Sequence, residues 1–104
     1  MARLVVVAIL TVRKAALEDF RAFEHRAATV MAAHGGSFER TVTVSEGAPP
    51  GTVKEVHVLA FPDRPSFDAY RADPRLAALR HLRERSVLST EILMGEDGPD
   101  YGGG

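Results

Sequence analysis

The segment from Arg3 to Val12, Arg-Leu-Val-Val-Val-Ala-Ile-Leu-Thr-Val, is apolar at odd and even positions alike. Successive side chains of a strand point to opposite faces, so a strand with one face in water alternates apolar and polar residues. A run without alternation needs dry cover on both sides. The rest of this chain carries only enough helix for one covering layer. The second cover is therefore expected to be another copy of the same chain, giving a homodimer built sheet to sheet. Any chemistry is expected between or beneath those sheets.

A length of 104 residues corresponds to one domain with one modest core. The net charge of −1 offers no broad basic surface. Nucleic acid and acidic membrane surfaces are therefore not expected partners. The absence of cysteine excludes disulfides, thiolate metal sites and a cysteine nucleophile. Arg3 ahead of an apolar run imitates a signal peptide. However, Arg13, Lys14, Glu18 and Asp19 follow at once, and no small-residue cleavage site is evident. The run is also β-branched and shorter than the ~20 residues that span a bilayer. A strand in a cytoplasmic protein is the expectation.

From Lys14 to about Ala33 the apolar period becomes helical, through Leu17, Phe20, Phe23, Ala27, Val30 and Met31. His34-Gly35-Gly36 should stop that helix, because glycine adopts the left-handed conformation of a C-cap. Ser37 to Glu46 alternates as a second strand, and Gly47 to Thr52 is a turn. Val53 to Phe61 is a third strand, ending at Pro62. The next helix is broken in two. Its first piece, Pro65 to Arg71, is capped by Asp63 or Ser66. The second restarts at Asp73-Pro74, with Asp as N-cap and Pro in the first helical position. Leu76, Leu79 and Leu82 form its apolar stripe, and a fourth strand follows from about Ser86 to Met94. The order is β-α-β-β-α-β, an α+β fold of the ferredoxin-like type, with a four-stranded antiparallel sheet and both helices on one face. Residues 1–95 make up this domain. Residues 96–104 read as a flexible acidic and glycine-rich tail.

The hairpin of strands two and three carries the most chemistry. With Glu46 opposite Val53, Val42 faces His57, Arg40 faces Leu59 and Phe38 faces Phe61, so Arg40, Glu55 and His57 emerge together on one face. Val56, Val58 and Ala60 then point at the helices, and the mixed face looks into the dimer interior. There His57 would act as acid or base, Arg40 would hold an anionic oxygen and Glu55 would orient the imidazole. The competing reading makes His57 a satisfied interface histidine and Arg40–Glu55 a structural ion pair. Phe38, Leu59, Phe61 and Tyr70 are candidate ligand-binding residues, although Phe67 and Tyr70 at a spacing of three also suit core packing. Arg83, in the basic stretch Arg80-His81-Leu82-Arg83, could contact an anion or lie on a solvated face. No metal-ligand spacing links His25, His34, His57 and His81, and no metal is expected. Gly35-Gly36 follows a helix rather than a strand, so it is not a phosphate loop. There is no nucleophile elbow, and no organic cofactor is expected. The closing Gly102-Gly103-Gly104 suggests a ubiquitin-like terminus, but those folds begin with a hairpin.

Several features fall in a recognisable order: Ala33-His34-Gly35-Gly36-x-Phe38, Phe61-Pro62, the pair Phe67 and Tyr70, Asp73-Pro74, Arg80-His81-Leu82-Arg83 and Glu91-Ile-Leu-Met-Gly95. Over Leu4 to Gly95 the chain resembles the dimeric α/β-barrel superfamily, and within it the family catalogued as domain of unknown function thirteen-thirty. The acidic residue usual before the Phe-Pro strand end in that family is Ala60 here. The superfamily includes cofactor-independent antibiotic-biosynthesis monooxygenases, muconolactone isomerases, EthD-like proteins and stress-responsive barrels. The resemblance implies a homodimer with a cleft between sheet and helices. It also implies an uncharacterised enzyme or binder with monooxygenase-like or isomerase-like chemistry on an apolar aromatic or polyketide-like ligand. The alternative is a non-catalytic dimeric ligand-sensing or structural module. The residues leave open whether there is turnover.

Overall fold

The computed structural model describes residues 2–102, so Gly103 and Gly104 at the end of the expected tail lie outside the described residues. The chain runs β1 (Leu4–Arg13), a 3-10 turn (Lys14–Ala16), α1 (Leu17–Ala33), β2 (Ser37–Val44) and β3 (Thr52–Phe61). It continues through α2 (Arg64–Arg71), α3 (Pro74–Ala77), α4 (Arg80–Ser86) and β4 (Val87–Gly95). The strands form one antiparallel sheet in the order β2-β3-β1-β4. This is the ferredoxin-like arrangement, with β1 and β3 in the middle and the helices on one face.

Local chemistry accounts for the boundaries. At the end of α1 the Gly36 N–H donates to Met31 O at 3.0 Å and the Gly35 N–H donates to Ala32 O at 3.1 Å. These are the paired bonds of a Schellman stop, with Gly35 at φ +75°. A side chain on Gly36 would run into the Phe61 ring and Met31, so this glycine allows the close approach of α1 to β3. Of the two caps considered for α2, Asp63 fills the role, accepting from the Ser66 N–H at 2.8 Å. Asp73 caps α3 by accepting from the Arg75 N–H at 2.8 Å. The second helical segment is broken into three pieces rather than two, with a further joint at Ala78-Leu79.

The two faces of β1 differ. Val6, Ala8, Leu10 and Val12 are buried, whereas Val5, Val7, Ile9 and Thr11 are half-buried. The buried set packs under the helices in two clusters, Val6 with Met31, Leu59, Phe61 and Phe67, and Ala8, Leu10 and Val12 with Phe20. Phe23, Ala27 and Leu82 join α1 to α4, with Leu76 and Leu79 packed against them.

The hairpin register corrects the sequence reading. Val44 pairs with Lys54, Val42 with Val56, Thr41 with His57 and Arg40 with Val58. That is one residue away from the expected pairing, and a slip of one exchanges the faces of a strand. A bulge at Glu39, between Arg40↔Val58 and Phe38↔Leu59, then returns Phe38 to the helix side. Separately from that slip, Glu55 and His57 lie beneath the helices, His57 opposite buried Ala8, while Val56 and Val58 lie on the uncovered face, Val58 opposite half-buried Val7. This is the reverse of the expected assignment.

Candidate functional site

Along β3, the residues Glu55, His57, Leu59 and Phe61 share the helix-facing side and are all buried. His57 lies in a cross-sheet row with Thr41 on β2, Ala8 on β1 and Ile92 on β4. Its Nε2 is 2.8 Å from Glu55 Oε1. An ionised carboxylate only accepts, so His57 donates the proton of this bond from Nε2. The other ring nitrogen, Nδ1, stands 3.9 Å from Glu24 Oε2 on α1. Phe20 stacks over the imidazole at 6.3 Å between centroids, and Phe38 meets it edge-on at 5.2 Å. The arrangement is an imidazole flanked by carboxyl groups at both nitrogens and walled by aromatic rings.

Burial falls off outward through this group. Side-chain exposure is 4% for His57, 11% for Glu55 and 20% for Glu24. Removal from water pushes the Glu24 carboxyl up to about 7, with the nearby Glu55 charge reinforcing it. His57 and Arg83 oppose that rise. Burial likewise pushes the Tyr70 phenol up to about 12, with Glu24 adding to the effect and Arg83 opposing it. Arg83, exposed on α4, donates from Nη2 to Thr90 Oγ1 on β4 at 2.7 Å. Glu24, His57, Glu55, Tyr70 and Arg83 thus form one electrostatic group drawn from α1, β3, α2 and α4. Such a group can store and move a proton near neutral pH and can balance a developing negative charge.

The predicted residues divide between the two faces. Glu55 and His57 are together as expected, and Phe38, Leu59, Phe61, Tyr70 and Arg83 share their side of the sheet. Leu59 and Phe61 are core residues. Tyr70 is tilted against Phe61, with ring centroids 5.6 Å apart. Arg40 is separate: paired with Val58 and exposed, it lies on the opposite face and cannot serve as the oxyanion partner of His57. The expected ion pair of Arg40 with Glu55 is also absent from this geometry, since Glu55 bonds His57 instead.

Sequence reasoning missed Glu24, which it treated as a charge between apolar positions. Its signal was a helical one: Glu24 follows Phe20 by four and precedes Ala27 by three, inside the buried stripe. Also missed was the tie between α1 and α3, where His34 Nε2 lies 2.8 Å from Asp73 Oδ2. Arg75 adds a second bond to the same carboxylate, from Nη2 to Oδ2 at 2.8 Å. The side-chain bonds from Arg75 and His34 hold Asp73 well below the usual carboxylate range. Two shallow surface depressions, of about 220 and 510 Å³, lie elsewhere. One is on the uncovered face along Val5, Val7 and Leu93; the other is near Arg3, Pro62 and Arg64. Neither reaches His57. Beyond β4, Asp97 accepts two bonds from Arg3, at 2.8 and 2.9 Å.

The fold and this group define a ferredoxin-like α+β domain with a buried acid–imidazole cluster between sheet and helices. No family model matches the sequence, and no curated protein matches it. Among solved structures, a protein of unknown function from Rhodopseudomonas palustris superposes with a TM-score of 0.78 at 13% identity, covering 95% of this chain and 85% of that one. SnoaB, a cofactor-independent oxygenase from Streptomyces nogalater, gives a TM-score of 0.68 at 18% identity, covering 97% and 98%. An uncharacterised NIPSNAP domain protein from Burkholderia xenovorans gives 0.68 at 17%, covering 93% and 99%. At these identities the likeness is one of fold.

Proposed function

We propose that this chain is a small-molecule enzyme or binder that works as a homodimer in the cytoplasm. Its ligand is an apolar aromatic or polyketide-like molecule held between the helical layer and the sheet. The observation that carries this reading is His57, flanked by Glu55 and Glu24 and walled by Phe20 and Phe38. Burying two carboxyl groups and an imidazole together is costly for structure alone, because each charge must leave water. A proton-handling role gives that cost a purpose. The reaction class is cofactor-independent, a proton shift or an oxygenation in which the substrate supplies the reactive carbanion. The similarity of fold to a cofactor-independent oxygenase is consistent with this chemistry and is too distant to carry it. Affiliation with the domain-of-unknown-function thirteen-thirty family belongs to the same proposal.

The dimer rests on the uncovered sheet face. Val5, Val7, Ile9, Val56 and Val58 are only half-buried there, and Leu93 and Val42 are exposed. A second reading, a structural or ligand-sensing dimer, is favoured by the near-complete burial of His57. Native mass spectrometry of protein purified gently from its own host separates an occupied small-molecule site from a purely structural dimer, and turnover of the recovered ligand separates an enzyme from a ligand sensor. A dimer carrying extra mass supports the small-molecule site and gives the formula of its occupant. A bare dimer favours the structural reading, and a monomer overturns the homodimer.

A further inference from the structure

The uncovered face of the sheet carries two charges that the buried site does not use. Arg40 on β2 lies in a cross-strand row with Val58, Val7 and Leu93. Glu91 on β4 lies in the next row, with Ile9, Val56 and Val42. Both are exposed. Among the described residues neither makes a hydrogen bond or an ion pair, whereas Arg3 at the head of β1 is held by Glu39 and Asp97. β2 and β4 are the two edges of the sheet, so three strand spacings, about 14 Å, separate the charges across it. That span is too wide for them to meet within one subunit, and the aliphatic side chains of β3 and β1 lie between.

Two copies packed face to face are related by a two-fold axis in the plane between their sheets. An axis across the strands lays β2 on β2 and β4 on β4, which brings Arg40 toward Arg40 and Glu91 toward Glu91. An axis near the strand direction exchanges the edges, so that β2 of one copy lies on β4 of the other. Each Arg40 then meets Glu91 of the second copy, once at either rim of the aliphatic patch. Packed sheets stand about 10 Å apart, a gap that an arginine and a glutamate can bridge between them.

We propose that the uncovered face binds a second copy of this chain about a two-fold axis near the strand direction, with Arg40 of each copy paired to Glu91 of the other. This rests on the homodimer reading above and adds the orientation of the two copies. The aliphatic rows supply affinity as they leave water. The charges choose among orientations that bury the same surface, because complementary charge sets register more than affinity and like charges in contact are penalised. Arg40, which the hairpin register removes from His57, thus belongs to the interface rather than to the site.

The test is sedimentation equilibrium of the full chain with its charges reversed. Removing one charge has little effect, since an exposed pair contributes little. Reversing one places a like-charge contact at both rims, so Arg40→Glu and Glu91→Arg should each raise the dissociation constant about tenfold or more. The variant carrying both changes regains both pairs with their signs exchanged and should dimerise as the wild type does. An equimolar mixture of the two single variants should form the mixed dimer in preference to either parent, which separates lost pairing from lost folding. Raising salt from about 0.1 M to about 1 M shortens the screening length from about 10 Å to about 3 Å, so the single variants should approach the wild type. Single variants that dimerise as tightly as the wild type overturn the orientation and leave the dimer standing. A doubly reversed variant no tighter than the single ones also overturns it. A monomeric wild type overturns the homodimer reading itself, and the orientation with it.

Discussion

The two faces of the sheet are built from nearly the same strands and are stabilised in opposite ways. The helix-covered face holds Phe61, Leu59 and Val6 beside Glu55 and His57, and each buried polar group there has a partner. The uncovered face carries Val5, Val7, Ile9, Val56 and Val58, with Arg40 and Glu91 exposed among them. Two ionisable side chains are thus placed where water is largely excluded, and a row of aliphatic side chains is left where water has access. A soluble monomer would favour the reverse, since buried charge costs solvation and exposed aliphatic surface forgoes the hydrophobic gain. The inversion makes sense when the covered face houses chemistry and the other face meets a second copy.

The largest expected effect tests the covered face as a packed core. Phe61 is fully buried, touches Phe67 at 5.2 Å between ring centroids, and limits the approach of Gly36. Phe61→Ala should cost about 3–5 kcal/mol, through lost transfer energy and the cavity left behind. Chemical denaturation measures this, and a loss near 1 kcal/mol would mean that the helices do not pack there as described.

A second test concerns the charge stored on that face. Glu24 rises from 4.5 to about 7 through burial. Because the folded-state value exceeds the unfolded one, its contribution to stability is whole below about pH 4.5 and is lost as the pH rises through about 7. A shift of this size corresponds to about 3 kcal/mol, an order-of-magnitude figure. Glu24→Gln removes the titration, so the variant should gain on the wild type by up to about 3 kcal/mol between pH 5 and pH 8. Parallel stability curves for the two proteins over that range would show that Glu24 ionises as freely when folded as when unfolded.

Much of this architecture was legible because its signals are local. The unalternating β1, the glycine stop at His34-Gly35-Gly36 and the Asp73-Pro74 restart each depend on a few neighbouring residues. The pairing of β2 with β3 is not local in that sense. It depends on how tightly the turn closes and on a bulge at Glu39, and neither has a distinctive residue to announce it. One residue of slip moved Arg40 away from His57; the two sides of β3 were exchanged for a different reason, since small Val56, Val58 and Ala60 suggested helix packing while ionisable Glu55 and His57 did not. Glu55 and His57 stayed together because residues two apart on a strand share a face whatever the register. Glu24 was obscured for another reason: its helical spacing set it among core residues, while its charge suggested solvent.

The polar pair itself gives a smaller effect and a direct contrast between the faces. Glu55→Ala leaves the buried Nε2–H of His57 without its acceptor at 2.8 Å, which should cost about 1–3 kcal/mol. Arg40→Ala, at an exposed position across the sheet, should stay within about 0.5 kcal/mol. Equal losses from the two substitutions would put Arg40 back in the ion-pair role that the register denies it.

The smallest effect on the subunit is expected where the effect on assembly is clear. Leu93 lies opposite Val7 on the uncovered face and is 50% exposed. In an isolated subunit Leu93→Ser should change stability by no more than about 0.5 kcal/mol, because little packing is lost. In a sheet-to-sheet dimer the same leucine is covered in both copies, and burying a leucine contributes about 1.5–3 kcal/mol in each. Sedimentation should therefore find the wild type dimeric and the variant dissociating at concentrations at least tenfold higher. The melting temperature should rise with protein concentration in the wild type, since association stabilises the folded state by mass action. A wild type that sediments as a monomer, with a melting point indifferent to concentration, would leave the aliphatic face without a second copy to cover it.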